Sequence, residues 1–178
     1  MARALIVGCG CRGRSLGRSL LAEGWEVRGT SRSVGGLNEI AAAGLEAAEA
    51  DPERPGTVLD LVADVTVLVW LLGSAAGPRN EVEAIHGPRL ASLLEKLVDT
   101  PVRGFAYEAS GSVTSEVLAG GRALVSDAAT RWHIPVAFIE GQVRSADDWA
   151  AASRERVLGL VHGASGHEPA PSDIVPPR

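Results

Sequence analysis

Six short apolar runs, alternating with stretches of helical spacing, set the fold class of this 178-residue chain. They read as strands at Ala4–Val7, Trp25–Gly29, Leu45–Ala48, Val65–Leu72, Phe105–Ala109 and Val136–Ile139. Val65–Leu72 constrains most: it is rich in β-branched residues and carries no charge, as a central strand covered on both faces must be. Between the runs, Leu16, Leu20 and Leu21 recur at helical spacing up to Gly24, and Leu37–Ala43 precedes Gly44. Val58–Ala63 reads as a short helix with Thr57 and Asp60 as its capping box. Pro88–Asp99 places Leu90, Leu93, Leu94, Leu97 and Val98 on one face. Leu124–Trp132 and Ala146–Leu160 complete the helices. Gly73–Gly87 reads as a long connection with a helical turn near Glu81–Ile85, and Gly111–Gly121 as a polar, glycine-rich loop.

No hairpin signal joins any two runs, so each pair of strands needs a crossover. The expected architecture is α/β: a doubly wound parallel sheet of about six strands in a single domain, with a crevice at the strand C-termini where the winding reverses. Residues 1–161 form that domain in this reading. Residues 162–178, with four prolines in the last ten, read as a flexible tail.

Composition removes several classes. Hydrophobic residues at 46% and charged residues at 22% describe a chain with a core. A net charge of −5 offers no basic field for nucleic acid. The longest apolar run is strand-sized, so no membrane span is expected. No signal pattern precedes the first strand, and a cytoplasmic location follows as the expectation. Cys9 and Cys11 form neither a disulfide scaffold nor, without a second Cys/His cluster, a zinc site; no metal is expected.

The chemistry concentrates in Gly8-Cys9-Gly10-Cys11-Arg12-Gly13, directly after the first strand and at the start of a helix. In that context G-x-G-x-x-G is the dinucleotide-binding fingerprint of a Rossmann-like fold. Gly8 permits the tight turn, Gly10 leaves room for a pyrophosphate, and Gly13 lets the helix lie close to the strand. The helix N-terminus supplies amides and a positive dipole end. Cys9 and Cys11 read as small space-fillers.

About 20 residues on, an NAD-binding chain carries a carboxylate for the ribose 2′-hydroxyl. Here the second strand ends Gly29-Thr30-Ser31-Arg32. Two hydroxyls and a guanidinium suit a 2′-phosphate, so NADP is favoured over NAD. The competing reading is a solvated Arg32 and a helix cap by Ser31 or Ser33. Asp51 either reaches the adenine amino group or serves as a turn residue before Pro52. Leu71, Leu72 and Gly73 are expected to line the crevice.

These motifs, together with Val102-Arg103-Gly104-Phe105-Ala106-Tyr107-Glu108-Ala109-Ser110-Gly111, resemble the atypical, extended-like short-chain dehydrogenase/reductases, including epimerase/dehydratase-like and NmrA-like members. The resemblance spans roughly residues 3 to 145 as an order of elements. It implies a nicotinamide cofactor and an active-site hydroxyl at the end of the fifth strand, where Ser110 stands. It also implies a Tyr-x-x-x-Lys pair, in which Lys lowers the tyrosine pKa. This chain lacks that pair: its sole tyrosine, Tyr107, is followed by Gly111 at the lysine position, and its sole lysine is Lys96.

Remaining catalytic candidates are Glu108, Ser110 and Ser112, with His86 in the loop over the crevice. Glu108, inside a strand, needs either an arginine partner or a proton-transfer role. The expected protein is an NADP-binding sensor, regulator or partner subunit, with an oxidoreductase of unconventional acid chemistry as the alternative. Its partners are a dinucleotide and a small-molecule substrate or protein. The Pro88–Asp99 and Ala146–Leu160 helices offer either a homodimer face or simple cover for the sheet.

Overall fold

A computed structural model describes residues 1–141 and 145–162. Residues 142–144 and 163–178 lie outside the described residues, and with them the expected tail apart from His162, which belongs to the last helix and not to the tail. The chain runs β1 (Arg3–Val7), α1 (Cys11–Ala22), β2 (Glu26–Ser31), α2 (Val34–Ala42), β3 (Glu46–Glu49), α3 (Pro55–Leu59), β4 (Val67–Trp70), α4 (Arg79–His86), α5 (Pro88–Leu97), β5 (Gly104–Glu108), α6 (Ser115–Trp132), β6 (Val136–Ile139) and α7 (Ala146–His162). The six strands form one parallel sheet in the order β3-β2-β1-β4-β5-β6. Winding runs outward from β1 to β3, then returns across the sheet to β4. A crevice therefore opens at the C-terminal ends of β1 and β4.

Side-chain alternation explains the continuous apolar runs. Ala4 and Ile6 of β1 face one core with Val67 and Val69 of β4, packed against Leu16 and Leu20 of α1, Ile40 of α2 and Val157 of α7. Leu5 and Val7 face the other core with Leu68, Trp70, Phe105 and Tyr107, under α3 to α6. Every residue of β4 and β5 is buried, so both faces are apolar except where Glu108 closes β5. The stripes of α5 (Leu90, Leu93, Leu94, Leu97) and α7 (Trp149, Ala150, Val157, Leu160) are buried within the protomer, where they cover the sheet.

Several elements depart from the sequence reading, three of them near the site or the core. The segment read as a loop to Gly121 becomes helical at Ser115, because Gly120 and Gly121 sit inside α6. A side chain at Gly121 would run into the Tyr107 hydroxyl, so packing against β5 demands glycine there despite its poor helix propensity. Thr57 does not cap a helix: its hydroxyl has the Arg54 carbonyl at 2.8 Å and the Asp51 carbonyl at 3.0 Å as acceptors for its one proton, and it accepts from the Asp51 amide. Asp60 is the C-cap of that helix, not a capping-box partner. The turn near Glu81–Ile85 extends to the full helix α4, anchored where the Trp70 indole N–H donates to the Ile85 carbonyl at 3.2 Å.

Candidate functional site

The site begins where β1 stops. Gly8 has φ +81°, a left-handed conformation that side chains resist. Any Cβ there would strike the Leu71 carbonyl and stand 2.7 Å from the Leu72 side chain, which ties the turn to the end of β4. Gly10 is the N-cap of α1, and its side-chain position is open, with nothing within 4 Å. The first helical bond runs from the Arg14 amide to the Gly10 carbonyl at 2.9 Å. The amides of Cys11, Arg12 and Gly13 therefore lack intrahelical acceptors, and Gly10 has no side chain to cap them. They form a cradle of donors at the positive end of a 12-residue helix. A Cβ on Gly13 would lie 3.3 Å from the Cys9 sulfur, the Gly8 carbonyl and the Ile6 side chain, which is how closely α1 lies on β1.

Cys9 fills space, as expected. It is buried against Gly29, its amide donates to the Thr30 carbonyl at 3.2 Å, and burial pushes its thiol pKa up to about 12. Cys11 is exposed.

The cradle opens into a cleft of about 620 Å³ with two arms. One arm passes Thr30, Ser31, Arg32, Ala50, Pro52 and Glu53. Thr30 is buried. Ser33 caps α2 by accepting from the Gly36 amide at 3.1 Å, and Ser31 accepts from the Ser33 amide at 3.2 Å, so the cap expected in this turn is present. Arg32 is 55% exposed, and its carboxylate partner among the described residues, Asp51, stands at 4.0 Å. The guanidinium thus retains donors for a ligand. Asp51 lies behind the wall formed by Ala50, Pro52 and Glu53; its carboxylate accepts from the Glu53 amide at 3.0 Å and holds the turn. Arg14 also lines the cleft, paired with Glu39 at 2.7 Å. The sequence reading passed over both; only their place one turn into α1 and on the facing side of α2 marks them.

The other arm is walled by Leu71, Leu72, Ser74, Ala75, Ile85 and Glu108. Glu108 is 3% exposed at the end of β5. Its Oε1 accepts from Arg12 Nη1 at 2.8 Å and its Oε2 from the Gly73 amide at 2.8 Å. The arginine partner expected from sequence is thus Arg12, on the glycine turn itself. Burial raises the Glu108 pKa, against the opposing pull of the Gly73 amide and of Arg12. Arg12 is stacked 5.1 Å from the centre of the Trp149 ring. Gly73 contributes its amide to Glu108 and packs against the Ser110 carbonyl. Ser110 and Ser112 lie outside this cleft, in an adjoining cavity of about 660 Å³ that shares Arg12 and Ser74 with it and carries Arg122 on its far wall.

His86 corrects an expectation. It is the last residue of α4, buried, and not in a loop over the crevice. Its Nε2 donates to the Leu72 carbonyl at 3.0 Å, so Nδ1 accepts from the Tyr107 hydroxyl at 2.6 Å. Both rings are thereby held inside the protein; burial lowers the His86 pKa and raises that of Tyr107. A histidine held below its ordinary pKa contributes stability that is complete above that value and falls as pH drops through it. The urea midpoint should therefore decline as pH falls below about 6.5, the ordinary histidine pKa, with a shallower decline in His86→Gln. Equal slopes would show that His86 does not titrate differently on folding.

No protein-family model matches the chain, and no curated protein sequence matches it. Solved structures do. A Citrobacter sp. triphenylmethane reductase complexed with NADP(H) aligns at TM-score 0.59 and 17% identity over 79% of this chain, which spans only 49% of that protein. A Thermotoga maritima UDP-glucose 4-epimerase with UDP-glucose aligns at TM-score 0.61 and 13% identity, over 76% of this chain and 54% of that one. An Escherichia coli serine dehydrogenase aligns at TM-score 0.63 and 18% identity, over 85% and 88%. The β3-β2-β1-β4-β5-β6 sheet is therefore a Rossmann fold, shared with these reductase, epimerase and dehydrogenase structures.

Proposed function

We propose that this protein binds NADP(H) along the cleft and serves as a cofactor-binding sensor, regulator or partner subunit. The observation that carries the reading is the uncapped cradle: three free amides beside an open Gly10, with Arg32 at the tip of β2. A pyrophosphate suits the amides, and a 2′-phosphate suits the exposed guanidinium. The neighbour solved with NADP(H) supports the same cofactor.

The sensor role rests on what the chain's own residues can do. Its sole tyrosine is sealed between His86 and α6. Its sole lysine, Lys96, is exposed near the C-terminal end of α5. Neither can form the proton-transfer pair of the family it resembles. One observation favours a second reading, an NAD(P)H-dependent oxidoreductase: Glu108, buried and with its pKa raised, stands on the cleft wall next to the Ser110 and Ser112 cavity. The cofactor would supply the hydride; these side chains would hold the proton.

Fluorescence titration tests the cofactor assignment. Arg32→Ala should weaken NADPH about tenfold or more and leave NADH unchanged, the loss of a charge-assisted bond to phosphate. Equal affinities for the two cofactors, or no loss in the variant, would contradict it. A screen of aldehydes, ketones and nucleotide sugars should give no rapid NADPH oxidation; fast turnover would favour the oxidoreductase.

A further inference from the structure

We infer that Arg12 and Glu108 form a charge latch that couples dinucleotide binding to the uptake of one proton. The inference rests on the NADP(H) reading and concerns what binding does to this pair. Arg12 supplies a cradle amide from its backbone while its guanidinium reaches across to Glu108 Oε1 at 2.8 Å. The two partners are unequally placed: the Arg12 side chain is 44% exposed and that of Glu108 is 3%. A pyrophosphate on the Cys11, Arg12 and Gly13 amides brings negative charge to the base of the arginine side chain. The guanidinium can turn to it through solvent; Glu108 cannot follow.

Once Arg12 turns, Glu108 keeps a single donor among the described residues, the Gly73 amide at 2.8 Å. Among the described residues no other cation contacts it. β6 offers Ile139 beside Glu108, and the α7 side chain stacked on Arg12 is Trp149. The neighbouring Tyr107 hydroxyl is turned to His86 in the other core. Glu39, Glu53 and Glu81 add negative charge to the cleft wall, and its other cations, Arg14 and Arg32, stand against carboxylates of their own, Glu39 and Asp51. A buried carboxylate without its counter-ion, beside a negatively charged pyrophosphate, is costly unless neutral. Glu108 therefore gains a proton from solvent at the oxygen Arg12 leaves, and the freed guanidinium binds phosphate. By linkage, uptake of a proton on binding makes affinity rise as pH falls, at most tenfold per pH unit.

The test is calorimetry of NADPH with the full chain, in two buffers of different ionisation enthalpy, between about pH 7 and 9, where the 2′-phosphate is already ionised. The buffer dependence should report close to one proton taken up per NADPH in the range where Glu108 is charged in the free protein. Glu108→Gln, which keeps an acceptor for the Gly73 amide, should bind NADPH with no proton uptake and a flat pH profile. Binding by the wild type with no buffer dependence overturns the latch and leaves the cofactor reading standing. Proton uptake that persists unchanged in Glu108→Gln also overturns it, by placing the proton elsewhere. Absence of NADPH binding at every pH removes the cofactor reading itself, and the latch with it. The wild-type measurement alone decides the coupling if the variant does not fold.

Discussion

Replacing Gly8 with alanine is expected to destabilise the protein by about 3 kcal/mol or more, read as a fall in the urea midpoint. Two costs add. The residue holds φ +81°, and a Cβ would collide with the Leu71 carbonyl and crowd the Leu72 side chain at 2.7 Å. The obstacle is the backbone of a central strand end, which cannot move without breaking the β1–β4 pairing at Val7 and Trp70. Relief by a rotamer change is therefore closed. A midpoint within error of the wild type would mean that the turn is not held against β4.

Gly10→Asp is expected to do the opposite: keep or raise stability while cutting NADPH affinity on the order of a hundredfold. Gly10 has φ −75°, an ordinary conformation for any residue, and open space where a side chain would go. Asp is a preferred N-cap that would accept from the free amides of α1 and complement its dipole. The same carboxylate would occupy the cradle and repel phosphate, and like charges brought together cost several kcal/mol. Thermal unfolding and NADPH titration on one preparation separate the two effects. Unchanged affinity with raised stability would show that the helix N-terminus is capped but unused.

Much of this was legible in the chain order. Strand β4 lies within Val65–Leu72 because a parallel strand buried on both faces leaves a continuous apolar signature, and β6, a partly buried edge strand, still occupies the Val136–Ile139 run itself. The glycine turn was legible because its spacing coincides with the change of period from strand to helix. What escaped depends on partners far away in sequence. Gly121 inside α6 answers to Tyr107 of β5, and no local rule places a glycine in a helix for that reason. Helix α2 starts at Val34 and not at Leu37 because Ser33 caps it, while its apolar periodicity only begins later. His86 reads as a loop residue until α4 forms and buries it. Glu108 called for an arginine, but which of sixteen could not be chosen, since Arg12 lies 96 residues away. The cleft followed from the fold. Its division, with Ser110 and Ser112 in a separate cavity behind Arg12, did not.

The claim beneath the rest is that the bare amides of Cys11, Arg12 and Gly13 hold the phosphates of a nicotinamide dinucleotide. Isothermal titration of NADPH into the wild-type protein tests it most directly. A saturable heat with one site per chain, lost in Gly10→Asp, is the expected result. No heat with either NADPH or NADH, from protein shown to be folded, would contradict it.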